Sequence, residues 1–272
     1  KYILISFIIP FVPFALIMLQ PDFGTGSVYM FMYLFMIFWA GTKVFYVYGI
    51  ISTILAIITA VISPWALLAL LVVTIGVLYL LKENWNIIFT FSGFILSVGF
   101  SFDYLYKSLA LYQQKRIASF LDPTMDPLGA GYNALQAKVA IGSGGLFGKG
   151  FMQGTQTQLK FIPKQWTDFI FCVPGEEFGF IGSMFVLILL FLVFYRGIKI
   201  AKSAKSKFAS YITIGFVGIL FYHTIINLGM SMSILPVMGI PLPFLSSGGS
   251  LFLSAMIMIG LMLNFYAHRK EY

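Results

Sequence analysis

Eight stretches of this chain are apolar over roughly the 20 residues that a helix needs to cross a bilayer, and no other feature constrains the fold as tightly. They fall at 2–19, 25–41, 44–62, 66–81, 87–106, 177–195, 209–229 and 250–267. In hydrocarbon every backbone N–H and C=O needs a partner inside the protein, so segments of this length read as helices. The run from 44 to 81 is broken only at Ser63, Pro64 and Trp65 and is far too long for one crossing, which predicts a tight hairpin there. With 60% hydrophobic and 10% charged residues, the chain exceeds what a soluble core requires. The expected fold is an all-α, polytopic helical bundle in a membrane, a single domain over residues 1–272 with a large loop at 107–176.

Positive charge sets the orientation. With Lys1 on the cytoplasmic side, alternating helices place Lys43, Lys82, Arg196, Lys199, Lys202, Lys205, Lys207, Arg269 and Lys270 inside as well, against only Glu83 and Glu271. The remaining basic residues are matched in number by acids on the outer side, nearly all in the 107–176 loop, so the formal net charge of +8 is cytoplasmic. That distribution is a topology signal with some attraction to anionic membrane lipid, and it is not the footprint of a nucleic-acid binder. The single cysteine, Cys172, offers neither a disulfide nor a metal cluster. Because it begins at Lys1 and not at methionine, the chain reads as lacking residues upstream.

The loop at 107–176 departs from this apolar pattern. Two Asp-Pro steps at 122–127 break helix, an amphipathic stretch runs around Tyr132 to Ile141, and a glycine-rich turn spans Gly142 to Gly150. Such a turn beside Lys149 is compatible with cradling a phosphate, although it lacks the Gly-Lys-Ser/Thr ending of a nucleotide loop; its glycines equally suit a loop that folds back on the membrane. Asp168 stands where the chain re-enters the bilayer, and an acid at that depth is expensive unless paired or facing water. Lys164 lies four residues before it and Lys160 four before that, on one face if the stretch is helical. The competing reading of Asp168 is a solvated interfacial acid. Glu176 and Glu177 follow Pro174 and Gly175, which should interrupt the helix, and read as acids favoured at a helix N-terminus.

Between the last two apolar runs, "SMSILPVMGIPLPFLSSGGS" at 231–250 predicts a re-entrant loop lining the same outward cavity, since irregular backbone at membrane depth survives only where protein or water satisfies it. Asp22 and Asp103 read as turn or interfacial residues. His223 and Asn227, one turn apart in a spanning run, read as an internal polar contact, with a proton relay as the alternative.

Together, "QPDFGT", "FLDPTMDPLGAGYNALQAKVAIGSGGLFGKGFMQGTQTQLKFIPKQWTDFIF", "NLGM" and "LPVMGIPLPFLSSGGS" resemble, in order and at nearly the same spacing, the RodA branch of the shape, elongation, division and sporulation (SEDS) family. The resemblance covers the chain outside residues 44–106. It implies a peptidoglycan glycosyltransferase that polymerises lipid II on the outer face of the inner membrane during cell elongation, releasing undecaprenyl pyrophosphate and working with a class B penicillin-binding protein. It implies that Asp168, in the Thr-Asp-Phe motif, is the catalytic carboxylate. Lys149, Lys160, Lys164 and Arg116, with the polar Gln156, Gln158, Ser246 and Ser247, form the implied substrate-binding set. A divalent cation, magnesium or manganese, would be held through Asp168 and phosphate oxygens. The partners implied are lipid II, membrane lipid and the penicillin-binding protein, with no nucleic acid.

Departures from the family pattern are also visible. N-terminal helices, including the one whose lysine pairs with the catalytic aspartate, are missing from the chain, and residues 44–106 hold an extra hairpin. Trp166 stands where histidine is frequent, Ser247 where tyrosine is common, and Pro174 with Gly175 interrupts a usually smoother helix. A lipid II flippase and a non-catalytic scaffold for the penicillin-binding protein are the alternative functions.

Overall fold

The computed structural model describes the chain except residues 1, 21, 102, 103, 105, 108, 110, 122–129, 160 and 270–272. Twelve helices and no strand occur among the described residues. They are α1 (Tyr2–Met18), α2 (Phe23–Trp39), α3 (Val44–Ile62), α4 (Pro64–Leu80), α5 (Trp85–Phe100), α6 (Leu111–Leu121), α7 (Ala130–Ser143), α8 (Thr155–Gln158), α9 (Cys172–Glu177), α10 (Gly179–Ser203), α11 (Lys207–Ser231) and α12 (Gly249–Ala267). All eight predicted spans are helices. Three of them, α10, α11 and α12, are long and apolar enough to cross a membrane by length and composition, and shorter apolar helices occupy the other five.

Two ends differ from expectation. The helix expected over 87–106 stops at Phe100, and the one expected over 177–195 runs on to Ser203. The second therefore carries Arg196, Lys199 and Lys202 on its last turns, where their cations meet the negative end of the helix dipole and their long stems reach past the apolar surface.

The chain forms two compact units, residues 40–115 and residues 1–39 with 116–272. In the first, α3, α4 and α5 pack on one another around Ala56, Leu67 and Ile95. The predicted hairpin is a single capping residue: Ser63 ends α3, accepts the Ala66 N–H on its hydroxyl at 3.1 Å, and is followed by Pro64 at the first helical position, which has no N–H to lose. Hydroxyls inside these helices donate to carbonyls one turn back, Ser52 to Tyr48 and Thr74 to Leu70, both at 2.8 Å. These buried hydroxyls thereby find an acceptor within their own helix, and that of Thr74 also accepts the Tyr48 hydroxyl of α3 at 3.1 Å.

In the second unit α11 is the central helix. Of its most apolar window 56% is buried, against 17% for α10 and 11% for α12, which leave most of their apolar surface for lipid. Small residues let α2 approach it: a methyl group added at Gly218 would lie 3.0 Å from Phe35 Cβ, and one at Gly215 would lie 3.4 Å from Met36 Sδ. Two hydroxyl bridges lock the pair, Tyr222 to Ser27 at 2.7 Å and Trp39 Nε1–H to Ser210 at 2.8 Å. Across the other face of α11, Val217 and Leu220 join Leu190 and Phe194 of α10 and Met262 of α12 in the main apolar core.

Valine at Gly218 should lower the detergent thermal midpoint by several degrees, because overpacking costs about 1–3 kcal/mol, whereas valine at the exposed, unopposed Gly260 should leave it unchanged. Equal midpoints for the two variants would remove close α2–α11 packing as the organising contact of this unit.

Candidate active site

Residues 161–171 form consecutive tight turns and not the helix on which the four-residue lysine spacing depended. The Lys164 carbonyl nevertheless accepts three N–H groups, from Thr167 (3.3 Å), Asp168 (3.1 Å) and Phe169 (3.2 Å). This coil puts Lys164 over Asp168, with Nζ to Oδ2 at 3.8 Å, the lysine 63% exposed and the aspartate 14% exposed. A pair so loose and so wet contributes little to stability. What anchors the segment is apolar: Phe169 and Cys172 are buried with Ala137, Ala140 and Ile162, and Ile170 and Phe171 enter the main core.

The backbone that carries Asp168 is held from the other side. Three consecutive carbonyls take donors from α11 and from the loop after it. The Trp166 carbonyl accepts the Ser247 N–H (2.8 Å) and hydroxyl (2.9 Å). The Thr167 carbonyl accepts the Ser246 hydroxyl (2.6 Å), and that of Asp168 accepts Asn227 Nδ2 (2.8 Å). Asn227 donates its second N–H to the Ile240 carbonyl at 2.9 Å. His223 Nδ1 stands 3.1 Å from the Pro241 carbonyl, which can only accept, so that nitrogen carries the proton. Gly239, at φ +70, lies against the carboxylate: a methyl group added there would sit 3.7 Å from Asp168 Oδ2.

The stretch between α11 and α12 is irregular, as expected, and packs on the Asp168 turn. His223 and Asn227 are internal polar residues as expected, yet each bonds the loop and not the other. The bond of Asn227 to the Asp168 turn was not foreseen; the signals for it were a lone amide in a spanning run before a proline-rich loop and its place at the head of the NLGM motif. Ser246 and Ser247 bond the backbone of the Thr-Asp-Phe segment. Arg116 lines a small crevice beside Ser233, Leu235, Pro236 and Val237 of the same loop. Asp22 is a helix cap, accepting the Thr25 N–H at 3.1 Å and hydroxyl at 2.7 Å. The close approach of Gly24 to the Met238 carbonyl sets the start of α2 against the loop. Lys160, Asp103 and the two Asp-Pro steps lie outside the described residues.

A second polar knot collects the other predicted residues. The Lys149 ammonium donates to Glu176 Oε1 at 2.6 Å and to the Thr155 hydroxyl at 2.7 Å. The Glu176 carboxylate also accepts the backbone N–H groups of Gln156 and Thr157, each at 2.9 Å. Gln158 Nε2 donates to Glu177 Oε1 at 3.1 Å. Glu176 therefore does sit at a helix N-terminus, but that of α8 and not of its own helix. Burial alone would raise its pKa, and the Lys149 ammonium and the two N–H groups outweigh this, bringing it down to about 2. Burial pushes the neighbouring Cys172 thiol up to about 12, aided by the Glu176 charge, so it is no nucleophile at neutral pH.

The glycine-rich turn belongs to this knot. The Lys149 and Gly150 N–H groups donate to the Glu176 and Glu177 carbonyls, both at 3.0 Å. The Gly145 and Leu146 carbonyls accept the Phe180 and Ile181 N–H groups at the start of α10. Gly148, at φ +80, passes so close to the Glu177 carbonyl that no side chain fits. The backbone of this turn is used on α9 and α10. The expected break after Pro174 and Gly175 comes at Phe178 and Gly179, where Gly179 at φ +63 turns α9 into α10.

An all-α membrane bundle, with a clamped aspartate where two irregular segments meet, defines the class. A family model described as "Cell cycle protein", that of FtsW, RodA and SpoVE, matches residues 66–271. The chain is 47% identical to the peptidoglycan glycosyltransferase MrdB of Escherichia coli (strain K12) over 159 residues, 58% of this chain and 43% of that protein. It is 32% identical to the peptidoglycan glycosyltransferase RodA of Treponema pallidum (strain Nichols) over 290 residues, 96% of this chain and 67% of that protein. A solved structure described as "Structural coordination of polymerization and crosslinking by a peptidoglycan synthase complex" is 26% identical with a TM-score of 0.58, covering 95% of this chain and 59% of that one. The match to MrdB thus spans less than half of that relative's length. The chain belongs to the FtsW/RodA/SpoVE family of membrane proteins.

Because the Glu176 pKa is depressed, its contribution to stability is complete above the ordinary value of 4.5 and is lost as pH falls toward 2. Methionine at Lys149 should destabilise by about 3 kcal/mol at neutral pH, by leaving a buried carboxylate short of its cation, and because the Glu176 pKa then rises, the variant should lose less stability than the native protein as pH falls from 4.5 toward 2. Thermal melts in detergent between pH 3 and 8 check this; superimposable curves for native and variant protein would dissolve the knot.

Proposed function

We propose that the whole protein is a RodA-type peptidoglycan glycosyltransferase that polymerises lipid II into glycan strands, with Asp168 as its base. One observation carries the reading. Of the four carboxylates described in this chain's outer turns, Asp22, Glu176 and Glu177 accept hydrogen bonds from nearby groups, while Asp168 has, among the described residues, only the loose Lys164 pair. A carboxylate on a fixed backbone with unoccupied lone pairs is what proton abstraction requires. The naming of MrdB and RodA as peptidoglycan glycosyltransferases supports the substrate class.

In the proposed step the acceptor sugar hydroxyl gives its proton to Asp168 as its oxygen bonds the donor's anomeric carbon. The bond from that carbon to the pyrophosphate oxygen breaks, and undecaprenyl pyrophosphate leaves with the electron pair. Lys164 is placed to steady the leaving charge, with Arg116 and Lys160 as further cations. Lys149 serves Glu176 in this arrangement, and Ser246 and Ser247 hold the Asp168 turn. Among the described residues no three histidine, cysteine or acidic side chains cluster. A divalent cation would therefore be held by Asp168 with substrate phosphates, a ligand set that magnesium accepts, and would neutralise the departing pyrophosphate. The distribution of basic residues supports a site on the outer face of the inner membrane, where a class B penicillin-binding protein would crosslink the product. Part of the solved neighbour's description, a synthase complex of polymerisation and crosslinking, supports such a partner.

The test is lipid II polymerisation in liposomes by the full-length protein and its penicillin-binding partner with an inactivated crosslinking serine. Asp168→Asn should lower the rate at least about 1,000-fold while partner binding persists. Undiminished glycan synthesis by that variant would place the base elsewhere, and loss of lipid II transport with polymerisation intact would favour a flippase. Chelation by EDTA should stop the native enzyme and magnesium or manganese should restore it; full activity in EDTA would remove the cation from the step.

A further inference from the structure

We infer that Asn227 is a positioning residue for Asp168, its amide joining the peptide that bears the carboxylate to the loop at Ile240. The inference rests on Asp168 being the base. Asn227 is fully buried, on the most buried of the three long spanning helices. An amide nitrogen has two N–H groups, and here both are used, on the carbonyls of Asp168 at 2.8 Å and Ile240 at 2.9 Å. Because both partners are acceptors, the amide has one permitted orientation: reversed, it would set oxygen against two oxygens. Its own Oδ1 meets no partner among the described residues. A buried orphan acceptor is a cost that only the two donations offset.

The geometry makes this amide a rule for where the carboxylate stands. The carbonyl it holds is bonded to the Asp168 Cα, so the hydrogen bond restricts how the backbone that bears the carboxylate can turn. Its second partner, Ile240, adjoins Gly239, the residue that lies against Oδ2. One side chain thus sets both the carboxylate's carrier and the wall beside it. The two preceding carbonyls keep Ser246 and Ser247 when Asn227 is changed. Losing the amide therefore leaves the turn folded and strips the Asp168 carbonyl of its donor, so that its peptide keeps only the Phe169 N–H bond to the Lys164 carbonyl, which is misplacement and not collapse. Misplacing a reacting group by about 1 Å costs on the order of 100-fold in rate, and it falls on the chemical step before substrate affinity.

The experiment uses the full-length protein with its crosslinking-inactive partner. Asn227→Asp keeps the volume and leaves at most one donor, the O–H of a protonated carboxyl, for two acceptors. The expected result is a fall in kcat of at least about 30-fold with KM for lipid II within about threefold of native, and a thermal midpoint within a few degrees. The matched pair Asn227→Gln and Asn227→Met isolates the donors if the aspartate variant does not fold: glutamine, which keeps the NH2, should retain more kcat than methionine of the same length. Native kcat in Asn227→Asp, a loss confined to KM, or equal rates for glutamine and methionine overturns the inference. So does failure of all three variants to fold, which would make Asn227 a stability residue alone. Asp168→Asn is assayed in parallel. If it polymerises normally the base reading fails, and if it is dead while Asn227→Asp runs at native rate only the positioning role fails.

Discussion

Where lipid excludes water, an irregular backbone has to be hydrogen-bonded by the protein itself, and the site described here follows from that requirement. Residues 161–171 and 232–248 are both non-helical, so neither satisfies its own carbonyls by helix formation. Four side chains serve them. Asn227 and His223 come from α11, the most buried of the long helices, and Ser246 and Ser247 come from the loop just before α12. The acidic side chain borne by the first segment inherits its position from bonds that do not involve it. Close helix packing is the precondition: Gly215 and Gly218 let α2 lie on α11 and hold upright the face that carries the amide.

The knot around Glu176 solves the same problem with different chemistry. A glycine-rich turn, a four-residue helix and a six-residue helix leave many N–H groups unpaired at their ends. One buried carboxylate collects two of them and a lysine, while loop carbonyls take the first N–H groups of α10. Charge here is a structural material. Its strength depends on every partner being present, since a buried carboxylate short of its cation costs more than the pair ever contributed.

Much of the fold was legible because hydrocarbon allows few solutions. Run length alone located eight helices, and the Ser63-Pro64 hairpin followed from capping chemistry and the length limit. The extension of α10 to Ser203 was not legible, since hydropathy falls at Arg196 while the backbone has no reason to stop there. Asp168 could be singled out from the expense of an acid at membrane depth together with the family resemblance. Its surroundings could not. Lys149 and Lys164 look alike in sequence, each near glycine or proline and an acid; which one is drawn onto a buried carboxylate and which stays in water depends on contacts across 27 residues against four. Ser246 and Ser247 read as ligand-facing hydroxyls because the acceptors they meet, backbone carbonyls 166 and 167, carry no signature in composition.

The two carboxylates of this unit also show how one residue type is assigned to structure or to chemistry. Glu176 accepts from a lysine and two backbone N–H groups, and its proton affinity is driven so low that it stays ionised at any physiological pH. Such a group is a poor base: each donor that stabilises the anion must be overcome when a proton arrives. Asp168 carries the opposite arrangement. Its donors act on its main chain, and the carboxylate itself keeps its lone pairs beside a glycine and an exposed lysine. Hydrogen bonds placed on the backbone hold a residue in position and leave the oxygens of its side chain open. Under the proposed reading of Asp168 as the base, an amide from a neighbouring helix fixes where the acid stands and leaves its carboxylate to the substrate.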